Sequence, residues 1–354
     1  MLLKDKDKII KLYEEKIKEL ENKLENISKI NQDLLIKVEN NMTTPFIYGL
    51  YDFSSFNIQN KIPKIKVEPK NDCIYTMKKL NDERVACGFS NGNIIIFSKI
   101  KFEKEIELNE YHKGAHITFL TQLKNGTFIS CGSEGKINFF KIFENKCNLI
   151  QTINAHGGRA MKIRELQLNK QLVSCSEDNT LNFYIFENEY KIEQKITLKI
   201  SIWNEIETNN GKIVLTGNSD KIQFFDINTR KEEKQLSGIK LYGSLSNNLI
   251  NLNDTLLAVG GYDNIFIINV LNQQKVNEIK VQGSNYITCF CKLNDDFILT
   301  GDCSGSIRQW KFSGELLVEE YLKQNSHGAQ IRMIEKFNNG LIVSCSDDTT
   351  FKIW

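Results

Sequence analysis

Leu341 to Trp354 reads LIVSCSDDTTFKIW. Two apolar-rich runs flank Ser346-Asp347-Asp348-Thr349, the pattern of two antiparallel strands joined by a tight turn. Just upstream, IRMIEKF (residues 331–337) predicts a third strand, linked through Asn338-Asn339-Gly340, and Ser326-His327-Gly328 precedes it. The unit carries a hydroxyl (Ser344), a turn carboxylate (Asp348), an imidazole (His327) and an indole (Trp354) that could form one hydrogen-bond chain. Imidazole donates through one nitrogen and accepts through the other, whereas indole only donates. Such a chain satisfies polar groups that are costly to bury alone.

The same unit recurs. Cys87, Cys131 and Cys175 lie 44 apart (131 − 87, 175 − 131), and each ends an apolar run followed by a polar turn and a second apolar run. The segments VACGFSNGNIIIF, FISCGSEGKINFF, LVSCSEDNTLNFY, VLTGNSDKIQFF, LAVGGYDNIFII and FILTGDCSGSIRQW, with the terminal one, predict seven units. Inner strands are expected from Cys73 (CIYTMKKL), Ile117 (ITFLTQL), Ile163 (IRELQL) and Ile287 (ITCFCKL), and irregular outer strands at 149–153 and 276–281. The fifth unit is the poorest, short of one turn residue before Ile265 and polar over 244–253. A repeat of this length is that of a stacked or radial array.

These offsets resemble the WD-repeat β-propeller family, whose pattern runs from a Gly-His pair to a Trp-Asp pair. Ser326-His327 stands at the first, and Trp354 begins the second. The resemblance implies an all-β fold: a seven-bladed β-propeller of four-stranded antiparallel blades over 58–354. It also implies that His327, Ser344, Asp348 and Trp354 form a structural tetrad, with a second one from His156, Ser174, Asp178 and Tyr184. His112 stands opposite Ser130 and Glu134, while His116 is left over and is expected to be exposed. The last unit has no residues for an outer strand. A strand near 61–68 is expected to supply it, since Ile65-Lys66-Val67 repeats Ile279-Lys280-Val281. Closure of that kind covers a sheet edge.

Residues 1–41 read differently. Residues 2–40 contain neither Gly nor Pro, and steps of seven from Leu3 give Ile10, Ile17, Leu24, Asn31 and Val38. The companion positions include Tyr13, Leu20, Ile27 and Leu34. This seam predicts a long N-terminal α-helix in a coiled coil, with Asn31 as a register-fixing polar pair. Ile9, Ile30 and Leu35 widen the apolar face, which also suits a higher oligomer or a helix laid on the propeller. Thr43-Thr44-Pro45 opens a linker over 42–57.

With 46 basic and 44 acidic residues the formal charge is only +2, and no dense basic tract marks a nucleic-acid partner. No window is apolar enough for a membrane span, and the charged N-terminus lacks a signal-peptide core. Nine cysteines without an export signal point to a reducing compartment, the cytoplasm. The histidines belong to different units and lack metal-ligand spacing. Cys289-Phe290-Cys291 has no second pair and reads as small buried hydrophobes. No phosphate-binding Gly-rich loop appears. Neither metal nor cofactor is expected, and no catalytic residue stands out.

Surface remains. Tyr75, Arg164, Trp203 and Arg332 each follow the first apolar residue of an inner strand, and such side chains are enriched at binding hot spots. Packing between blades is the alternative role for them. The expectation is a non-enzymatic docking platform for other proteins, joined to a helix that pairs with a second copy or a helical partner. A G-protein-beta-like subunit, a ubiquitin-ligase substrate receptor and a propeller enzyme are the other readings.

Overall fold

The computed structural model describes residues 56–58, 65–67, 72–99, 101–241, 248–283 and 286–354. The predicted helix, its seam and most of the linker lie outside these residues. The described chain forms seven four-stranded antiparallel sheets. Blades 1 to 6 are built from consecutive strands over 74–108, 117–154, 160–197, 202–236, 249–280 and 287–323. Blade 7 combines Ile331–Lys336, Ile342–Ser346 and Phe351–Ile353 with Ile65–Val67 from the other end of the chain. Ile65 pairs with Ile353, Lys66 with Lys352 and Val67 with Phe351, so an N-terminal strand closes the ring.

The burial pattern explains why the second strands read as continuous apolar runs. Val85–Phe89, Leu172–Ser176 and Ile342–Ser346 are buried at every position, because neighbouring blades cover both faces. Outer strands such as Lys231–Leu236 face solvent and are polar. The core is accordingly distributed around the ring, one apolar cluster at each joint between blades. Cys131, Cys175 and Cys345 pack in different joints, and all nine cysteines are free thiols. The joint of blades 6 and 7 receives an extra layer from Phe56 and Ile58. Gln309 of blade 6 grips that segment, accepting from Ile58 N at 3.2 Å and donating to Phe56 O at 2.6 Å.

The inner strand of blade 3 runs from Ala160 to Glu165 and so begins three residues before the expected Ile163. Ala160 and Met161 lack the branched apolar signal, and the buried polar Lys162 hid the pattern. In six blades the inner strand has an irregularity straight after its first residue, which pushes Tyr75, Thr118, Met161, Trp203, Thr288 and Arg332 out of register. Such bulges re-aim a side chain. Among the described residues, the inner strand of blade 5 is Leu249–Asn251.

Candidate functional site

The histidines come first, since they carry the strongest latent chemistry. In blade 7 the structure brings His327, Ser344, Asp348 and Trp354 together. His327 Nε2 lies 2.7 Å from Ser344 Oγ, which accepts from Trp354 Nε1 at 2.8 Å. His327 Nδ1 lies 3.0 Å from Asp348 Oδ2. One proton arrangement satisfies the chain: indole to hydroxyl, hydroxyl to Nε2, and Nδ1–H to carboxylate. Burial alone would raise the Asp348 carboxyl, but donation from His327, Thr350 and Gly328 N holds it well below the usual carboxylate range.

Blade 3 repeats the arrangement with a phenol for the indole. His156 Nε2 is 2.7 Å from Ser174 Oγ, itself 2.7 Å from Tyr184 OH. On the other side Thr180 intervenes, with His156 Nδ1 3.0 Å from its Oγ1 and 3.4 Å from Asp178. Burial pushes the His156 imidazole down to about 4, even though Asp178 draws it upward. In blade 2, His112 lies 2.7 Å from Ser130 and 2.6 Å from Glu134, the Asn138 amide approaches the same His112 Nε2 at 2.9 Å, and Phe140 stands at the position of the Trp. Each of these imidazoles is engaged at both ring nitrogens.

Two supports were not anticipated. Each histidine leans on the turn glycine of the preceding blade: His112 on Gly92, His156 on Gly135 and His327 on Gly305, where a Cβ would collide with the histidine carbonyl. These glycines have φ of 90°, 85° and 80°. Blade 6 lacks the histidine but keeps the indole bond, Trp310 Nε1 to Thr300 Oγ1 at 2.9 Å. Arg308 substitutes, bonding the Asp302 carboxylate and the Gln282 carbonyl. The offset of ten from Thr300 to Trp310 equals that from Ser344 to Trp354, a signal present in the sequence.

The other candidates divide between two ends of the central channel. At the end where inner strands begin, the Arg332 guanidinium is bidentate to Asp347, both bonds at 2.7 Å, and lies 4.5 Å above the Tyr75 ring. Tyr75 stacks on His116 at 4.9 Å. His116 is therefore half-buried rather than exposed, because Tyr75 covers its ring. Trp203 occupies the corresponding bulge of blade 4 and packs on the joint of blades 3 and 4. Arg164 does not belong to this rim. With the strand starting at Ala160 it lies further along the channel wall, its Nε 2.6 Å from buried Glu205, and Met161 holds the rim position.

Towards the other end, the inner strands enclose a cavity of about 580 Å3 whose wall includes Lys78, Lys79, Lys162, Arg164, Lys292 and Lys336. Several tie adjacent blades together: Lys336 Nζ donates to Leu293 O at 2.5 Å and Lys292 Nζ to Leu252 O at 2.8 Å. Lys162 Nζ donates to Asn204 Oδ1 at 2.8 Å and to Glu205 O at 3.1 Å. Among the described residues no His, Cys, Asp and Glu cluster has the makings of a metal site. No described helix is long and apolar enough to cross a membrane.

This geometry defines a closed seven-bladed propeller whose buried polar sets brace individual blades. No family model matches the chain, and no curated protein matches it. Among solved structures it is similar to a chain of the "Crystal Structure of Mitotic Checkpoint Complex", with a TM-score of 0.70 and 13% identity over 83% of this chain and 94% of that one. At that identity the likeness is one of fold.

Proposed function

We propose that this chain is a WD-repeat propeller serving as a non-enzymatic, cytoplasmic scaffold for other proteins, with residues 1–41 forming a coiled coil that pairs two copies or recruits a helical partner. The observation that carries the reading is the rim stack of Arg332, Tyr75 and His116. It presents a guanidinium and an aromatic ring, already ordered by Asp347, at the mouth of the channel. Preordered Arg and Tyr side chains lose little entropy on docking and recur at binding hot spots. The histidine sets are spent within their blades, which leaves them a bracing role. A solved neighbour of the same fold that sits in a multiprotein complex supports protein partners.

The test is a comparative affinity purification. Proteins captured by the full chain should be lost with Arg332→Ala or Tyr75→Ala while the melting temperature stays close to that of the parent. An identical set captured by parent and variants would reject the rim. Sedimentation addresses the helix: the full chain should associate and residues 42–354 should not. Two monomers would reject pairing.

A further inference from the structure

We infer that the outer edge of blade 2 pairs, antiparallel and two-fold, with the same edge of a second copy of this chain. The fourth strand borders each sheet, and among the described residues no strand of that sheet lies beyond it. Such edges are templates for another strand and are ordinarily blunted by charge or by bulges. Six of the seven carry charge. Lys104–Leu108, Glu189–Thr197, Lys231–Leu236, Gln274–Lys280 and Leu316–Lys323 have three or four charged side chains each, and Ile65–Val67 has Lys66. Lys146–Asn154 is the exception: after Lys146 at its start, CNLIQTIN has no charge, no Pro and no Gly.

The bulge remains, but it does not set this edge apart, since the outer strands of blades 1 to 6 all slip once against the third strand. The residue at the slip is Glu105, Glu193, Glu233 and Glu320 in four of them, which puts a carboxylate on the edge. In blade 2 it is Ile150, 55% exposed, beside Leu149 at 39%. The strand is held in place by Gln151, whose Oε1 accepts from Tyr190 N at 2.9 Å and whose Nε2 donates to Tyr190 O at 2.7 Å. The order of residues names the occupant. About Gln151 the strand reads almost alike in both directions, Asn148-Leu149-Ile150 before and Thr152-Ile153-Asn154 after. Laid antiparallel on its own copy, Asn148 faces Asn154, Leu149 faces Ile153 and Ile150 faces Thr152. Amides then meet amides, and apolar or β-branched side chains meet their like, which are favourable cross-strand pairs. A second copy has this order by identity, and a two-fold contact closes at two chains. One pair of strands is far smaller than the about 1,200 Å2 of a stable interface, so the contact is weak. It forms near millimolar concentration or between copies already joined, and dilute propellers stay apart.

The experiment is disulfide trapping of the full chain under mild oxidation, at about 1 mM protein, where the weak contact forms. Asn148→Cys with Asn154→Cys in one chain should give covalent dimers on a non-reducing gel, because the two positions face each other across the two-fold. Cross-strand partners bring their Cβ atoms within about 5.5 Å, near what a disulfide needs. Each single variant should give little, since neither position meets its own copy. Adding Ile150→Lys to the double variant should cut the dimer yield about tenfold by returning a charge to the edge. All three positions are exposed, and thermal melts check that each variant folds. A yield no greater for the double variant than for the singles overturns the proposal. So does a yield that Ile150→Lys leaves unchanged. Pairing through residues 1–41 would raise the background of every variant alike, and sedimentation of the parent reads that pairing separately.

Discussion

Asp348 supports His327 from below: one carboxylate oxygen lies 3.0 Å from His327 Nδ1 and 2.9 Å from Gly328 N, and the other takes Thr350 Oγ1 at 2.6 Å. Asp348→Ala therefore strands several donors at once. The cost of unsatisfied buried groups is about 1–3 kcal/mol each, so the melting temperature should fall by several degrees. A catalytic carboxylate would lose turnover with little change in stability. An unchanged melting temperature would refute the bracing role.

Acid should weaken blade 3 through His156. Its folded-state value, about 4, lies below the ordinary 6.5. Between those values the unfolded chain binds a proton that the folded one refuses, so stability is full above pH 6.5 and declines as pH falls towards 4. The limiting slope is about 1.4 kcal/mol per pH unit. Asp178, held near 2 by hydrogen bonds that outweigh its burial, adds its own loss only below about pH 4. The fall in melting temperature from pH 7 to pH 5 should be smaller in His156→Gln than in the parent; equal falls would discard the assignment.

Lys162 is the converse case, a cation held inside at a cost. Burial, with Arg164 and Lys78 nearby, lowers its ammonium to about 8 despite the pull of Glu205. An unfolded lysine keeps its proton to about 10.4, so the parent protein should gain stability as pH rises from 8 towards 10. Lys162→Met should be more stable than the parent at pH 7, by about 1–3 kcal/mol, and lack that alkaline gain. Other donors already serve the oxygens it leaves: Glu205 N reaches Asn204 Oδ1 and Arg164 Nη2 reaches Glu205 O. A lower melting temperature at pH 7 would contradict this.

Truncation to Asp72 removes both the Ile65–Val67 strand and the Phe56–Ile58 layer. Blade 7 then ends on an unpaired Phe351–Ile353 edge, and Trp354 loses neighbours in its cluster. The truncated protein should melt lower, less cooperatively, and aggregate through the bare edge. Gln309→Ala, which cuts only the Phe56 and Ile58 bonds, should cost less, about 1–2 kcal/mol. A truncated chain that melts like the parent would refute closure as a source of stability.

Repetition made the ring legible in the sequence. Buried second strands carry continuous apolar runs and turns fall at near-constant spacing, so seven units and the closing strand could be read. Offsets within one unit likewise brought His327, Ser344, Asp348 and Trp354 into view. What stayed hidden depends on contacts between units. Arg164 reads as a rim residue in the sequence because Ala160 and Met161 do not look like the start of a strand, and one shifted start moves a side chain along the channel. The ring of lysines was invisible for the same reason. Lys78, Lys292 and Lys336 are ordinary surface residues in a linear reading, and only closure makes them neighbours. The His116 ring stacks on Tyr75, which belongs to another blade.

The pairing of Val67 with Phe351 also sets an order of events during synthesis. The two residues are 284 positions apart (351 − 67). At about 5–20 residues per second, the first strand waits roughly 15–60 s for its partner to be made. Blades 1 to 6 can assemble as they emerge, each from its own contiguous strands, but the seventh cannot be completed until Phe351–Ile353 has been made. Until then the nascent protein is an open arc with a bare strand at its start and two unsatisfied faces. A holding chaperone would find on that species the strand edge and blade faces that the finished ring covers.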